Sequence, residues 1–244
     1  MCAENRLKIE HLRSQQVRQK PKRMRKSVGV GMPESEIEKR IFEIARKHKQ
    51  TLEAQISGRK EEMESDENSH YLIYSALGIP ENEGKKIDVY QNIGRFVYRY
   101  AGQFLEEVTQ LLINHARDGA PRALDNTVSN QPKRFEIDSI VEDDKRAHEI
   151  KWRDATTDGD HIDKENRKIQ TIQDHGYKPI RIMFYMPERK QATRIQKKVI
   201  ASYRENGEAH IGEDAWRYVE NYTGYDLEAI IKRIVEENAL HSPL

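Results

Sequence analysis

Arg134-Phe-Glu-Ile-Asp138-Ser-Ile-Val141, then Glu-Asp-Asp-Lys145, then Arg146-Ala-His-Glu149-Ile-Lys151-Trp152 is the stretch on which the reading of this chain turns. It reads as two short strands joined by a polar turn. Side chains alternate along a strand, so Glu149 and Lys151 share one face. Asp138 lies on the facing strand, and Ile137, Ile140 and Ile150 supply apolar neighbours. Two carboxylates and an ammonium then converge where the sheet bends. Metal-assisted cleavage of a phosphodiester needs such a trio.

The flanking segments supply helices. From Asn92 to about Ala116, Ile93, Val97, Tyr100, Phe104, Val108 and Leu111 recur at helical spacing, and Gly119-Ala-Pro121 ends the run. Leu124 to Val128 suits an edge strand. After the hairpin, Arg153 to Asp160 is a polar loop, and Ile162 to about His175 is a helix stopped by Gly176. Lys178-Pro-Ile-Arg-Ile182-Met-Phe-Tyr-Met-Pro187 is a dense apolar strand, expected near the centre of the sheet. Helices follow over about 189–205, 214–221 and 226–237. Upstream, a helix is expected from Glu36 to about Ser57 and a charged loop over 58–69. Tyr71–Leu77 fits either a strand or a helix. This order argues an α/β or α+β domain.

Composition narrows the function classes. With 244 residues the chain can bury one sizeable core. No apolar run approaches membrane-spanning length and no signal-peptide segment opens the chain, so a cytoplasmic setting is expected. Cys2 is the single cysteine, which excludes an internal disulfide framework. Charge is unevenly spread. Residues 1–26 hold nine Lys/Arg against Glu4 and Glu10, whereas the rest carries 33 Lys/Arg against 39 Asp/Glu, a net of −6. A basic arm therefore precedes a mildly acidic body. Lys20, Lys22, Arg23, Arg25 and Lys26 are candidate phosphate contacts, although a solubilising tail has the same composition.

Asp138, ten intervening residues, then Glu149-Ile150-Lys151 resembles the PD-(D/E)XK nuclease superfamily. Ile137 stands where that pattern has proline, which leaves the carboxylate intact. The resemblance spans residues 92–186. It implies a restriction-endonuclease-like core of class α/β (α+β), with a mixed central sheet flanked by helices and a helical C-terminal extension. The expected organisation is an arm over 1–32, a helical subregion over 33–91, the nuclease core over 92–188 and the extension over 189–244. Asp138 and Glu149 would hold Mg2+, a hard cation that takes oxygen ligands. Lys151 would act at the attacked phosphate, as base or as electrostatic stabiliser. An acidic residue on the first core helix often joins the site in this superfamily. Glu107 lies at the edge of the apolar stripe and Glu106 opposite it, so Glu107 is the expected further ligand.

Asp154-Ala-Thr-Thr-Asp158-Gly-Asp160-His-Ile-Asp-Lys-Glu165 nearly spells a calcium-binding loop, with Gly sixth and Glu twelfth. A strand rather than a helix leads into it, which argues against that use. Following the catalytic strand directly, it is better placed to approach DNA, with Arg153, His161, Lys164 and Arg167 as candidate contacts. His148 and His175 lack partners at ligand spacing and read as ordinary surface or satisfied histidines, and Trp152, Tyr177, Phe184 and Tyr185 read as core.

The stretch Glu149 to His161 is similar to the ApaLI-like group of type II restriction endonucleases. That likeness implies a palindromic GTGCAC-type target in double-stranded DNA and a two-fold homodimer, each subunit cutting one strand. Two other readings stay open at this level: a structure-specific repair or recombination nuclease of the same fold, and a non-catalytic DNA-binding module.

Overall fold

The computed structural model describes residues 35–240 apart from positions 66 and 157. The basic arm, with Lys20, Lys22, Arg23, Arg25 and Lys26, lies outside the described residues. Chain order runs α1 (Glu36–Glu64), α2 (Tyr71–Ala76), α3 (Glu81–Arg117), β1 (Ala120–Asp125), β2 (Arg134–Val141), β3 (Arg146–Lys151), α4 (His161–Asp174), β4 (Lys178–Met183), α5 (Lys190–Asn206), β5 (Glu208–Ile211), α6 (Glu213–Thr223) and α7 (Leu227–Leu240).

The strands form one mixed sheet in the order β1-β2-β3-β4-β5. The first three are antiparallel neighbours, whereas β4 runs parallel to β3 and β5 parallel to β4. A parallel neighbour needs a crossover, and α4 and α5 supply the two. Helix α3, the β1–β3 meander, α4 and β4 make up the α/β arrangement that the nuclease resemblance implies.

Apolar side chains divide the core between the two faces of the sheet. On one face Val141, Ile150, Ile180 and Ile182 pack with Leu105, Val108, Leu112 and Ile113 of α3, and with residues of α1, α6 and α7. On the other, Ile169 packs with Met183, Ile195 and Val199, and Ile172 with Phe135, Ile137 and Ile140. Burial on both faces explains the continuous apolar run of β4.

Strand β2 changes phase midway. Arg122 faces Ile137 whereas Ala120 faces Ile140, so β2 carries one more residue than β1 across that interval. This is a β-bulge, a feature common beside active sites because it re-aims a side chain. It lets Ile137 and Ile140, three apart, enter the same apolar cluster, and it falls on Asp138 and Ser139.

Several element boundaries differ from the sequence expectation. Helix α1 extends through the expected loop to Glu64, and Tyr71–Ala76 is helical. Helix α3 starts at Glu81, behind Pro80, rather than near Asn92. The edge strand is Ala120–Asp125, earlier than Leu124–Val128. The segment after Pro187 is not wholly helical, since Glu208–Ile211 adds the fifth strand. Tyr185 is 48% exposed and so is not core, whereas Phe184 is buried.

Candidate active site

Backbone pairing between β2 and β3 covers Val141–Arg146, Ile140–Ala147 and Ser139–His148. Beyond it the bulge turns Asp138 toward β3, where its Oδ2 accepts the Ile150 N–H at 2.6 Å. A side chain thus takes a strand donor that the ladder leaves. Glu149 and Lys151 leave β3 on the α4 face, opposite to Ile150, as alternation requires. Lys151 Nζ lies 2.7 Å from Glu149 Oε1 and 4.0 Å from Asp138 Oδ2. The three residues picked out in the sequence are therefore brought together.

Their charges are strongly perturbed. Burial, and then the charge of Glu149, push the Asp138 carboxyl up to about 7, against the opposing pull of Lys151. Burial would raise Glu149 too, but Lys151 and Lys168 hold it below the usual carboxylate range. For Lys151, burial favours the neutral amine, yet Glu149 and Asp138 outweigh it and stabilise the ammonium.

Lys168 was not anticipated. It rises from α4, and its Nζ donates to Glu149 Oε2 at 2.9 Å, with only 10% of its side chain exposed. Behind it, Arg181 of β4 is fully enclosed. Its Nη1 donates to Glu165 at 3.2 Å, and its Nη2 to Asp154 and Gln196 at 2.9 Å each. Tyr203 Oη donates to the same Glu165 oxygen at 3.2 Å. A sequence signal did exist. Glu165 and Lys168 share the helical face of Ile169 and Ile172, and Arg181 interrupts an apolar strand. A buried charge in such a setting calls for a buried partner.

An open cleft of about 460 Å³ borders two of the trio, Glu149 and Lys151. Glu149, Lys151 and Lys168 line it together with Arg153, Asp154, Thr156, His161 and Lys164. Three of the four expected loop contacts, Arg153, His161 and Lys164, thus face the same space as Glu149 and Lys151. Arg167 does not line it. The calcium-loop reading fails on partners: Asp154 Oδ2 is taken by Arg181 and lies 3.0 Å from His161 Nε2. The Tyr98 hydroxyl donates to the Arg153 carbonyl and ties the loop to α3.

Glu107, the expected further ligand, is not brought to the trio. Its Oε2 lies 2.7 Å from His48 Nε2 of α1. It is Glu106 whose charge acts on both Asp138 and Lys151. The physical reason is a rotation of the buried stripe. Leu105, Val108, Thr109, Leu112 and Ile113 are buried, whereas Val97, assigned to the stripe from sequence, is 43% exposed. Turning the face by one residue moves Glu106 to the side of the trio and Glu107 to the side of α1. Of the two ordinary roles expected for His148, surface or satisfied, the structure shows the second. It is buried, 2.8 Å from the Tyr218 hydroxyl, and burial lowers its pKa to about 4.

Oxygen donors of this kind suit a hard divalent cation. Asp138 and Glu149 are desolvated side by side, and burial first, then the charge of Glu149, raises the Asp138 carboxyl. Among the described residues no group of three His, Cys, Asp or Glu forms a ready cage.

Among the described residues no helix is long and apolar enough to cross a membrane. No curated protein matches the chain. A family model does: residues 24–236 match that of the ApaLI-like restriction endonucleases. With nearly the whole sequence matched, and the trio and cleft set on this sheet, the chain belongs to the ApaLI-like restriction endonuclease family, and its activity is that of a type II site-specific deoxyribonuclease.

Proposed function

We propose that the enzyme is a magnesium-dependent nuclease of PD-(D/E)XK type, acting as a homodimer on a palindromic site in double-stranded DNA and leaving 5′-phosphate and 3′-hydroxyl ends. The observation that carries this reading is the convergence of Asp138, Glu149 and Lys151 at the β2 bulge, with Glu149 and Lys151 on the wall of an open cleft. Asp138 and Glu149 would hold the Mg2+, with the Ile150 carbonyl as a further donor and Glu106 acting from α3. When bound, the cation lowers the pKa of water and offsets charge on the scissile phosphate.

The protein's own groups do the remainder. Lys151 reaches the cleft with a side chain 30% exposed and aims its ammonium donors at the phosphate, where they stabilise charge as it builds. Arg153, His161 and Lys164 line the same cleft and would contact backbone or base edges. Two-fold symmetry of the dimer matches that of a palindrome, so that each subunit cuts one strand.

Digestion of a long DNA of known sequence tests this. With magnesium, discrete fragments are expected; with EDTA, none. Fragment sizes then test the GTGCAC-type target. A smear, or intact DNA in the presence of magnesium, overturns the reading.

The carboxylates of α3 make a separate prediction. Glu106→Gln is expected to lower turnover by roughly tenfold to a hundredfold, the usual effect of losing a group that supports a metal site. Glu107→Gln removes only a partly exposed contact with His48 and should leave turnover near wild type. Steady-state cleavage of a plasmid by both variants checks the pair, and the opposite ranking would restore Glu107 to the site.

A further inference from the structure

We infer that Lys168 is a positioning residue: from α4 it pins Oε2 of Glu149, so that Oε1 is the oxygen offered to the cleft and to a divalent cation. This rests on the catalytic reading of Asp138, Glu149 and Lys151 given above.

The two oxygens of Glu149 are held by different ammoniums. Lys168 Nζ takes Oε2 at 2.9 Å, and Lys151 Nζ takes Oε1 at 2.7 Å. Their freedom differs. The Lys151 side chain is 30% exposed, whereas that of Lys168 is 10% exposed and lies 6.0 Å from the Phe135 ring. Its helix is fixed against the sheet by Ile169 and Ile172. Lys151 can therefore move toward a phosphate while Lys168 stays.

Stability alone gives little reason for the Lys168–Glu149 pair, since replacing both members of a buried ion pair by well-packed apolar residues is often neutral or stabilising. What an apolar residue cannot do is fix a carboxylate rotamer. With Lys168 gone, both Glu149 oxygens would be left to Lys151, tying down the group that must reach the substrate. Partners that orient a metal-binding carboxylate act in this indirect way.

The test uses the full chain and its Lys168→Met and Lys168→Arg variants. Terbium luminescence without DNA reports cation binding, and magnesium-driven cleavage reports turnover. For Lys168→Met, kcat at saturating magnesium should fall roughly tenfold to a hundredfold, with KM for DNA unchanged. Terbium should bind more tightly, by roughly threefold to tenfold, because one positive charge beside the carboxylates is gone. Lys168→Arg should return both values toward wild type. A purely structural lysine would instead lower thermal stability together with turnover, so an unchanged melting temperature beside the lost kcat separates the two roles.

An unchanged kcat overturns the inference, as does joint loss of turnover, terbium binding and thermal stability that arginine fails to restore. If Lys168→Met does not fold, Lys168→Leu, which likewise lacks a donor, takes its place with the same expectations. A wild type that binds terbium but cuts no DNA sinks the catalytic reading. In that case tighter terbium binding by Lys168→Met still supports the link to Glu149, and unchanged binding removes it.

Discussion

Lys151→Ala is expected to reduce turnover on duplex DNA by roughly a hundredfold to a thousandfold, the scale seen when one charge-stabilising donor is removed from a preorganised site. The loss should fall on the chemical step. Lys151 lies at the cleft wall, and Glu149 keeps a second partner in Lys168, so its carboxylate is not stranded when the first lysine goes. Folding should survive for the same reason. Affinity for DNA comes mainly from phosphate contacts spread over the interface, so binding should change little. Single-turnover cleavage with magnesium, beside a binding isotherm in EDTA, separates the two quantities. Turnover within tenfold of wild type, or a matching loss of binding, would remove Lys151 from the chemistry.

Arg181→Met is expected to be the most damaging single change to stability, lowering it by about 3–5 kcal/mol as removal of one member of a buried ionic cluster does. Methionine replaces the aliphatic stem but none of the donors. Glu165, 3% exposed, would keep the Tyr203 hydroxyl and lose its guanidinium, and Gln196 and Asp154 would each lose a 2.9 Å bond. Part of the effect should reach the cleft, because Asp154 anchors the loop after β3 and Arg181 holds Asp154. Urea unfolding measures the first consequence. A loss under about 1 kcal/mol, the range of exposed ion pairs, would mean that the cluster is far less coupled than its distances imply.

How much of this was legible from sequence depends on how local the signal is. The hairpin, the long helix before it, the helix over 162–175 and the apolar strand from 178 all follow from short-range periodicity and turn chemistry. So does the trio, because alternation alone puts Glu149 and Lys151 together. What escaped depends on neighbours distant in the chain. Glu208–Ile211 is four residues between helices, and it becomes a strand only because β4 offers an edge to pair with. Glu106 and Glu107 are adjacent, and choosing between them needs the rotation of α3 to within one residue, which packing against α1 and the sheet decides. Lys168 and Arg181 look like ordinary surface cations until α4 and β4 are brought together. Their placement on apolar faces was the available clue.

The bulge in β2 acts on the strand as a shift of reading frame. In an unbroken strand one frame of alternate residues points to each face, and Ile137 and Ile140 would belong to opposite frames. Here one inserted residue shifts the frame between them. Phe135 and Ile137 are read in the first frame, Ile140 in the second, and all three arrive in one apolar cluster. Asp138 stands at the join, where neither frame dictates its direction, and so it turns to the Ile150 N–H and the facing carboxylate. The spelling Phe-x-Ile-x-x-Ile is thus a strand written in two phases, with the chemistry set at the change of phase.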